Sequence, residues 1–330
     1  FNKLQLLSPR ALVYGYRWLD AISHEYVHYL IVKLTSNKAP IWFHEGLSKY
    51  EETRWRNGPS YLSPPYENLL ARALAQSKLI RFERMEPSLV TLETPEDVQL
   101  AYAQAASGIE FIISHAGFDG LREMMKRMST QKERGATGPI KEVLGLDFSQ
   151  FEQKWTEFLG SKGLKRWDGA NIHRYKIKEG KADEERMDME EIKSLVARNR
   201  AHLGDRLKER GRIRAAVIEY RRALNEVQNS VPIMNRLSTA LVDLDQNEEA
   251  LDLLKRIKEV SSDHPTPYTQ LGQLYLKLKD FQRAREAFEE SIQINPFNPE
   301  VHLGLATAYE MLGDRSNAMK EREIAKKLGQ

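Results

Sequence analysis

The stretch "SHEYVH", residues 23–28, holds the residue types and spacing best suited to chemistry in this chain. His24 and His28 are four residues apart, with Glu25 beside the first. On a helix, positions i and i+4 share a face, so two imidazoles so spaced reach a single metal ion. Glu25 lies roughly 100° further round the helix and reaches a water on that ion. A catalytic zinc takes three protein ligands and leaves one position for water, so a third ligand is required. Glu45, in "APIWFHEGLSKYEE", lies 17 residues after His28 on what reads as the next helix. A helix, a short turn and an antiparallel return bring it over the two histidines.

These residues need a scaffold, and the chain reads as mainly α. "RWLDAISHEYVHYLIVKL" has the length of a helix, broken by "NKAP". "SPPYENLLARALAQ" has a Ser-Pro-Pro start and apolar residues at helical spacing. In "TPEDVQLAYAQAASGIEFIISHAG", Thr94 is the expected N-cap and Pro95 the first-turn residue. "DGLREMMKRM" and "DFSQFEQKWTEFLGSKG" complete the helices, and "NKLQLLS" alternates enough for a short N-terminal strand. The expected fold is a small, mostly helical domain followed by an α-solenoid.

The solenoid is read from a 34-residue step. Leu203, Leu237, Leu271 and Leu305 keep it, as do Ala216, Ala250, Ala284 and Ala318. Small residues follow the leucines (Gly204, Ser238, Gly272, Ala306), and Tyr220, Leu254 and Phe288 are large. This is the pattern of the tetratricopeptide repeat, a helix–turn–helix unit. Asp245 and Lys279 stand where Gly211 and Gly313 mark the turns, and Arg322 replaces the large apolar residue. The expected division is a first domain over 1–162, a charged and partly helical linker over 163–196, and repeats at 197–230, 231–264, 265–298 and 299–330. The linker, with "KIKEGKADEERMDMEE", reads as a solvated connector. A stacked array has a concave face suited to a peptide or protein partner.

The 330 residues include 50 basic and 47 acidic side chains, a net charge of +3 that gives no argument for nucleic acid or an anionic surface. The absence of cysteine excludes thiolate metal sites, cysteine nucleophiles and disulfides. No apolar run approaches the ~18 residues that span a bilayer. The first residue is Phe1, so the chain reads as a fragment or processed form. Phosphate-binding and serine-nucleophile motifs are absent.

H-E-x-x-H followed by Trp42-Phe43-His44-Glu45-Gly46 resembles the gluzincin metallopeptidases, and specifically the bacterial peptidase MA-like group often joined to tetratricopeptide repeats. The resemblance covers about residues 4–160. It implies His24, His28 and Glu45 as ligands of one zinc ion and Glu25 as general base and proton shuttle. The ion would lower the pKa of a bound water to about 7. It implies a tyrosine or histidine donor for the developing oxyanion, for which Tyr102 is the candidate, with Gln104 nearby. His44 is read as lining the cleft. Glu51 and Glu52 are read as exposed charge, with a hydrogen bond to a ligand histidine as the alternative. "LQLLS" is the candidate edge strand for an extended substrate. The resemblance thus implies a zinc peptidase acting on a peptide or protein substrate, with the repeats recruiting a protein. The alternative is a non-catalytic zinc domain in a repeat scaffold. It also implies a bacterial protein of the envelope or periplasm, with the cytoplasm as the other compartment.

Overall fold

The computed structural model describes residues 5–56, 61–167, 169–170, 176–178, 180 and 183–329. Among them are fifteen α-helices and no sheet. Gln5–Ser8 are not in a strand, and the rest of the expected strand lies outside the described residues. The β-type pairing found is an antiparallel bridge between Leu12 and Ile177. No helix is long and apolar enough to cross a membrane among the described residues.

The chain divides into two compact units, the first of which takes residues 19–167. Its helices are α1 (Trp18–Thr35), α2 (Ile41–Glu51), α3 (Pro64–Ala75), α4 (Pro95–Thr130), α5 (Thr137–Leu144) and α6 (Phe148–Ser161). Thr94 caps α4 as its sequence predicts, its hydroxyl accepting from the Asp97 amide. Gly117, at φ 68°, kinks α4. The core forms where α2 meets α4: Trp42, Phe43, Phe82, Ile109, Phe151 and Trp155 are all buried. A glycine on α2 facing an alanine on α4 allows this approach. A Cβ on Gly46 would stand 2.4 Å from the Ala105 carbonyl oxygen. The Glu86 carboxylate caps the N-terminus of α2 by accepting from the Ile41 amide.

The second unit takes residues 168–330 and also 7–18, a segment that the sequence reading places with the first domain. After α7 (Asp183–Glu191) come four helix pairs: α8 (Leu195–Glu209) with α9 (Ile213–Glu226), α10 (Val231–Asp243) with α11 (Asn247–Val260), α12 (Pro265–Lys277) with α13 (Phe281–Ile294), and α14 (Pro299–Met311) with α15 (Arg315–Leu328). The small-and-large pattern has a direct geometric cause. A Cβ on Gly204 would lie 2.4 Å from the Tyr220 ring, and one on Gly272 2.6 Å from the Phe288 ring. Asp245 and Lys279 hold φ of 59° and 61°, the left-handed turn conformation of Gly211 and Gly313. Leu237, Leu271 and Leu305 are buried, whereas Leu203, with no earlier helix pair to meet, is 46% exposed. Arg322, in the last pair, makes an exposed ion pair with Glu310. The stretch before α8 is not simply a solvated connector: Met187 and Ile192 are buried in the unit's packing.

Candidate metal centre

α1 presents His24 and His28 on one face, as the four-residue spacing requires. The turn at residues 36–40 reverses the chain, with Ser36 and Asn37 at positive φ, and α2 then carries Glu45 to the histidines. The three potential ligand atoms form a nearly equilateral triangle. His24 Nε2 and His28 Nε2 are 3.1 Å apart, and each is 3.4 Å from Glu45 Oε2. Tetrahedral coordination with bonds of about 2.0–2.1 Å places ligand atoms about 3.3–3.4 Å apart, so this donor set fits zinc in size and in chemistry. It is the His/Cys/Asp/Glu group of three that could hold a metal among the described residues.

The surroundings fix this geometry. Glu52 Oε2 lies 3.2 Å from His24 Nδ1, so a proton on Nδ1 is donated to Glu52 and the Nε2 lone pair faces the centre. Lys49 donates to the other Glu52 oxygen and stands over the Tyr66 ring. Glu52 is therefore half-buried and bonded rather than exposed, whereas Glu51 pairs with Arg54. Seven residues separate Glu45 from Glu52, two helical turns on one face, and that spacing was a signal available in the sequence. One turn before His24, the buried Asp20 carboxylate accepts two bonds from Arg56, at 2.8 and 2.7 Å, and one from Trp55 Nε1 at 3.0 Å. No pattern in the sequence pointed to this second tie between α1 and the residues after α2.

Electrostatics couple the cluster. Burial opposes charge on His24, but hydrogen bonds to Glu45 and Glu52 outweigh it and raise its pKa to about 9. Burial likewise acts upward on Glu45, and hydrogen bonds from His24 and His28 overcome it, lowering the pKa to about 2. His44 is buried with its ring 5.7 Å from that of His28. Burial and the nearby positive charge of His28 and Arg134 lower its pKa to about 4, so it is a neutral wall of the site.

Glu25 is half-buried, and its carboxylate is in no side-chain hydrogen bond or ion pair among the described residues. Tyr102 is half-buried on α4. It packs against the hydrophobic core, and burial, then the charges of Glu45 and, more weakly, Glu25 push its hydroxyl pKa up and keep it protonated. Gln104 is elsewhere: it is fully buried and bonds both the amide and the carbonyl of Ile80. His115 packs on Phe111 near the α4 kink.

Fold and site together define a helical domain with a two-histidine, one-carboxylate cluster, followed by an array of paired helices. Residues 7–161 match the Peptidase MA superfamily, and residues 265–298 match the tetratricopeptide repeat. The chain thus carries a Peptidase MA superfamily domain toward its N-terminus and a tetratricopeptide repeat toward its C-terminus. Among curated proteins it is similar to the small glutamine-rich tetratricopeptide repeat-containing protein 2 of Mycosarcoma maydis, 25% identical over 32% of this chain and 30% of that protein. It is also similar to the general transcriptional corepressor trfA of Dictyostelium discoideum, 24% identical over 36% of this chain and 9% of that protein. The chain spans less than a third of the length of either relative. Similar solved structures include MamA, 21% identical over 46% of this chain and 96% of that one, with a TM-score of 0.39. Another is a thermophilic repeat protein of Thermus thermophilus, 23% identical over 40% and 74%, with a TM-score of 0.38.

Proposed function

We propose that the first unit is a zinc-dependent peptidase of gluzincin type and that the repeats engage a protein substrate or partner. The observation that carries the reading is the His24–His28–Glu45 triangle, with sides of 3.1–3.4 Å. His24, His28 and Glu45 would hold the zinc, which when bound would supply a Lewis acid and lower the pKa of a water toward neutrality. Glu25, adjacent to a ligand but not one, is the general base: its carboxylate would accept a proton from the attacking water and return it to the leaving amine. Glu52 holds the His24 ring in one orientation and tautomer. Tyr102, kept protonated, donates a hydrogen bond to the substrate oxygen as it gains charge. His44 shields one side of the site without competing for the charge.

The test has two stages. Mass spectrometry of the purified chain is expected to find about one zinc per chain, lost or much weakened in Glu45→Ala. On a peptide library, Glu25→Gln is expected to lower kcat by about 10²–10⁴ while retaining zinc. Full activity in Glu25→Gln would falsify the mechanism. Zinc without hydrolysis in the wild type would move the function to the repeats.

A further inference from the structure

Within the second unit, the segment ahead of α1 bends at Val13 and Tyr14 and is held by hydrogen bonds to residues 176–178, to α7 and to the third helix pair. Its backbone pairs at two levels. The Val13 amide donates to the Lys176 carbonyl and the Lys178 amide to the Ala11 carbonyl, flanking the Leu12–Ile177 bridge. The Tyr16 amide then donates to the Ile294 carbonyl at the end of α13, at 3.0 Å. Side chains add selectivity. The Tyr14 hydroxyl donates to Asp188, and its ring lies 4.1 Å from that of His264. Gly15 has φ 75°, and a Cβ there would fall 2.6 Å from the Ile294 oxygen. Arg17 enters a socket formed by the turn before α12 and by α13. Its guanidinium donates to Asp263 at 3.3 Å, Glu290 at 3.0 Å, the Ser262 carbonyl at 3.1 Å and Gln293 at 3.3 Å, beside the Tyr268 ring.

We propose that this edge of the array is a peptide-recognition site for a Tyr-Gly-x-Arg sequence with a left-handed glycine, and that its resident ligand is the chain's own Tyr14–Arg17. Helix packing alone does not call for a socket with two carboxylates, a carbonyl and an amide oxygen around one guanidinium. Burying a cation this way is favourable only with most of its donors satisfied, and it then discriminates strongly against sequences lacking the arginine. The glycine requirement is a separate filter, set by backbone rather than by charge. The site is independent of the peptidase reading.

The test uses the full chain and a fluorescent peptide of residues 11–18, ALVYGYRW. In Arg17→Glu, repulsion from Asp263 and Glu290 is expected to release the segment, so hydrogen exchange at the Val13 and Tyr16 amides accelerates. The peptide is expected to bind this variant at least about tenfold more tightly than the wild type, whose site is filled. The same peptide bearing Arg17→Glu or Gly15→Ala is expected to lose that binding. A second variant, Arg17→Glu with Glu290→Arg, is expected to regain protection at both amides. Equal peptide affinity for variant and wild type, no discrimination among the peptides, or global unfolding of Arg17→Glu would each overturn the proposal. The last outcome would make the segment part of the fold rather than a ligand.

Discussion

Helices α1 and α12 show how differently the two units hold their parts. On α12 the buried positions are Pro265, Pro267, Tyr268, Leu271, Gly272 and Leu274, a face fitted to its neighbours. On α1 they are Asp20, Ile31 and Thr35, while Tyr26, Tyr29, Leu30 and Leu34 are exposed. Helix α1 is tied to α2 and the residues after it largely by polar contacts: Asp20 to Arg56 and Trp55, His24 to Glu52, and both histidines to Glu45. A helix fixed by such polar contacts is oriented accurately by them, but it depends on their charge. The repeat helices depend on volume.

Substitution of one glycine in each unit sharpens the contrast most. In Gly46→Ala the new Cβ meets backbone, the Ala105 carbonyl oxygen at 2.4 Å and carbon at 2.6 Å, which cannot turn aside. In Gly272→Ala it meets the Phe288 ring at 2.6–2.7 Å, a side chain rather than backbone. Urea unfolding is expected to show losses of about 3 kcal/mol for the first and about 1 kcal/mol for the second, the gain in helix propensity partly offsetting both. Only Gly46→Ala should weaken zinc binding, since Glu45 is its neighbour. Equal losses would mean that the α2–α4 contact adapts as readily as a repeat.

Next in size is the support of His24. Glu52→Ala removes the acceptor at Nδ1 and is expected to weaken zinc affinity about 10–100-fold, measured against a competing chelator. Glu51→Ala, which removes only the pair with Arg54, should change it little.

The same cluster makes the first unit responsive to pH. With its pKa raised from 6.5 to about 9, His24 contributes stability that is full below 6.5 and lost as pH rises through about 9. With its pKa lowered from 4.5 to about 2, Glu45 contributes stability that is present above 4.5 and lost as pH falls through about 2. Chelated protein is therefore expected to have larger protection factors along α1, exchange being corrected for its intrinsic rise with pH, near pH 5.5 than near pH 9.5, with those of the repeats much less affected. Zinc must displace the His24 proton, so zinc affinity should rise with pH across the neutral range, by up to about tenfold per unit. Glu52→Ala should flatten that slope. A pH-independent affinity would mean that His24 carries no proton to displace.

Much of this was legible in the sequence because it obeys a period. The four-residue step of His24 and His28 and the 34-residue step of the repeats are consequences of helix geometry, and both appear in the structure as expected. Glu52 obeys a period too, seven residues from Glu45, but charge at the end of a helix reads first as solvated. What could not be read depends on contacts remote in sequence. Nothing local to "YGYR" announces an acid socket 246 residues away, and nothing local to Asp20 announces Arg56. The strand expected from alternation in "NKLQLLS" fails over Gln5–Ser8 for a related reason: alternation describes a face, and a strand also needs a partner backbone.

The smallest predicted effect tests the repeat side alone. Asp245 and Lys279 occupy left-handed turn positions at φ 59° and 61°, where a Cβ is strained and where the outer repeats have Gly211 and Gly313. Asp245 also pairs with Lys277, so its replacement would mix two effects. Lys279 offers the cleaner measurement. Lys279→Gly relieves the strain but gives the unfolded chain more freedom, and the two terms oppose each other. Strain is the larger where φ is positive, so a net gain of about 0.5–1 kcal/mol is expected, seen as a small rise in the urea midpoint with an unchanged slope. Zinc affinity should not move. A loss of stability would mean that the turn has adjusted to its lysine, and that a position departing from the glycine pattern is a settled alternative rather than a strained one.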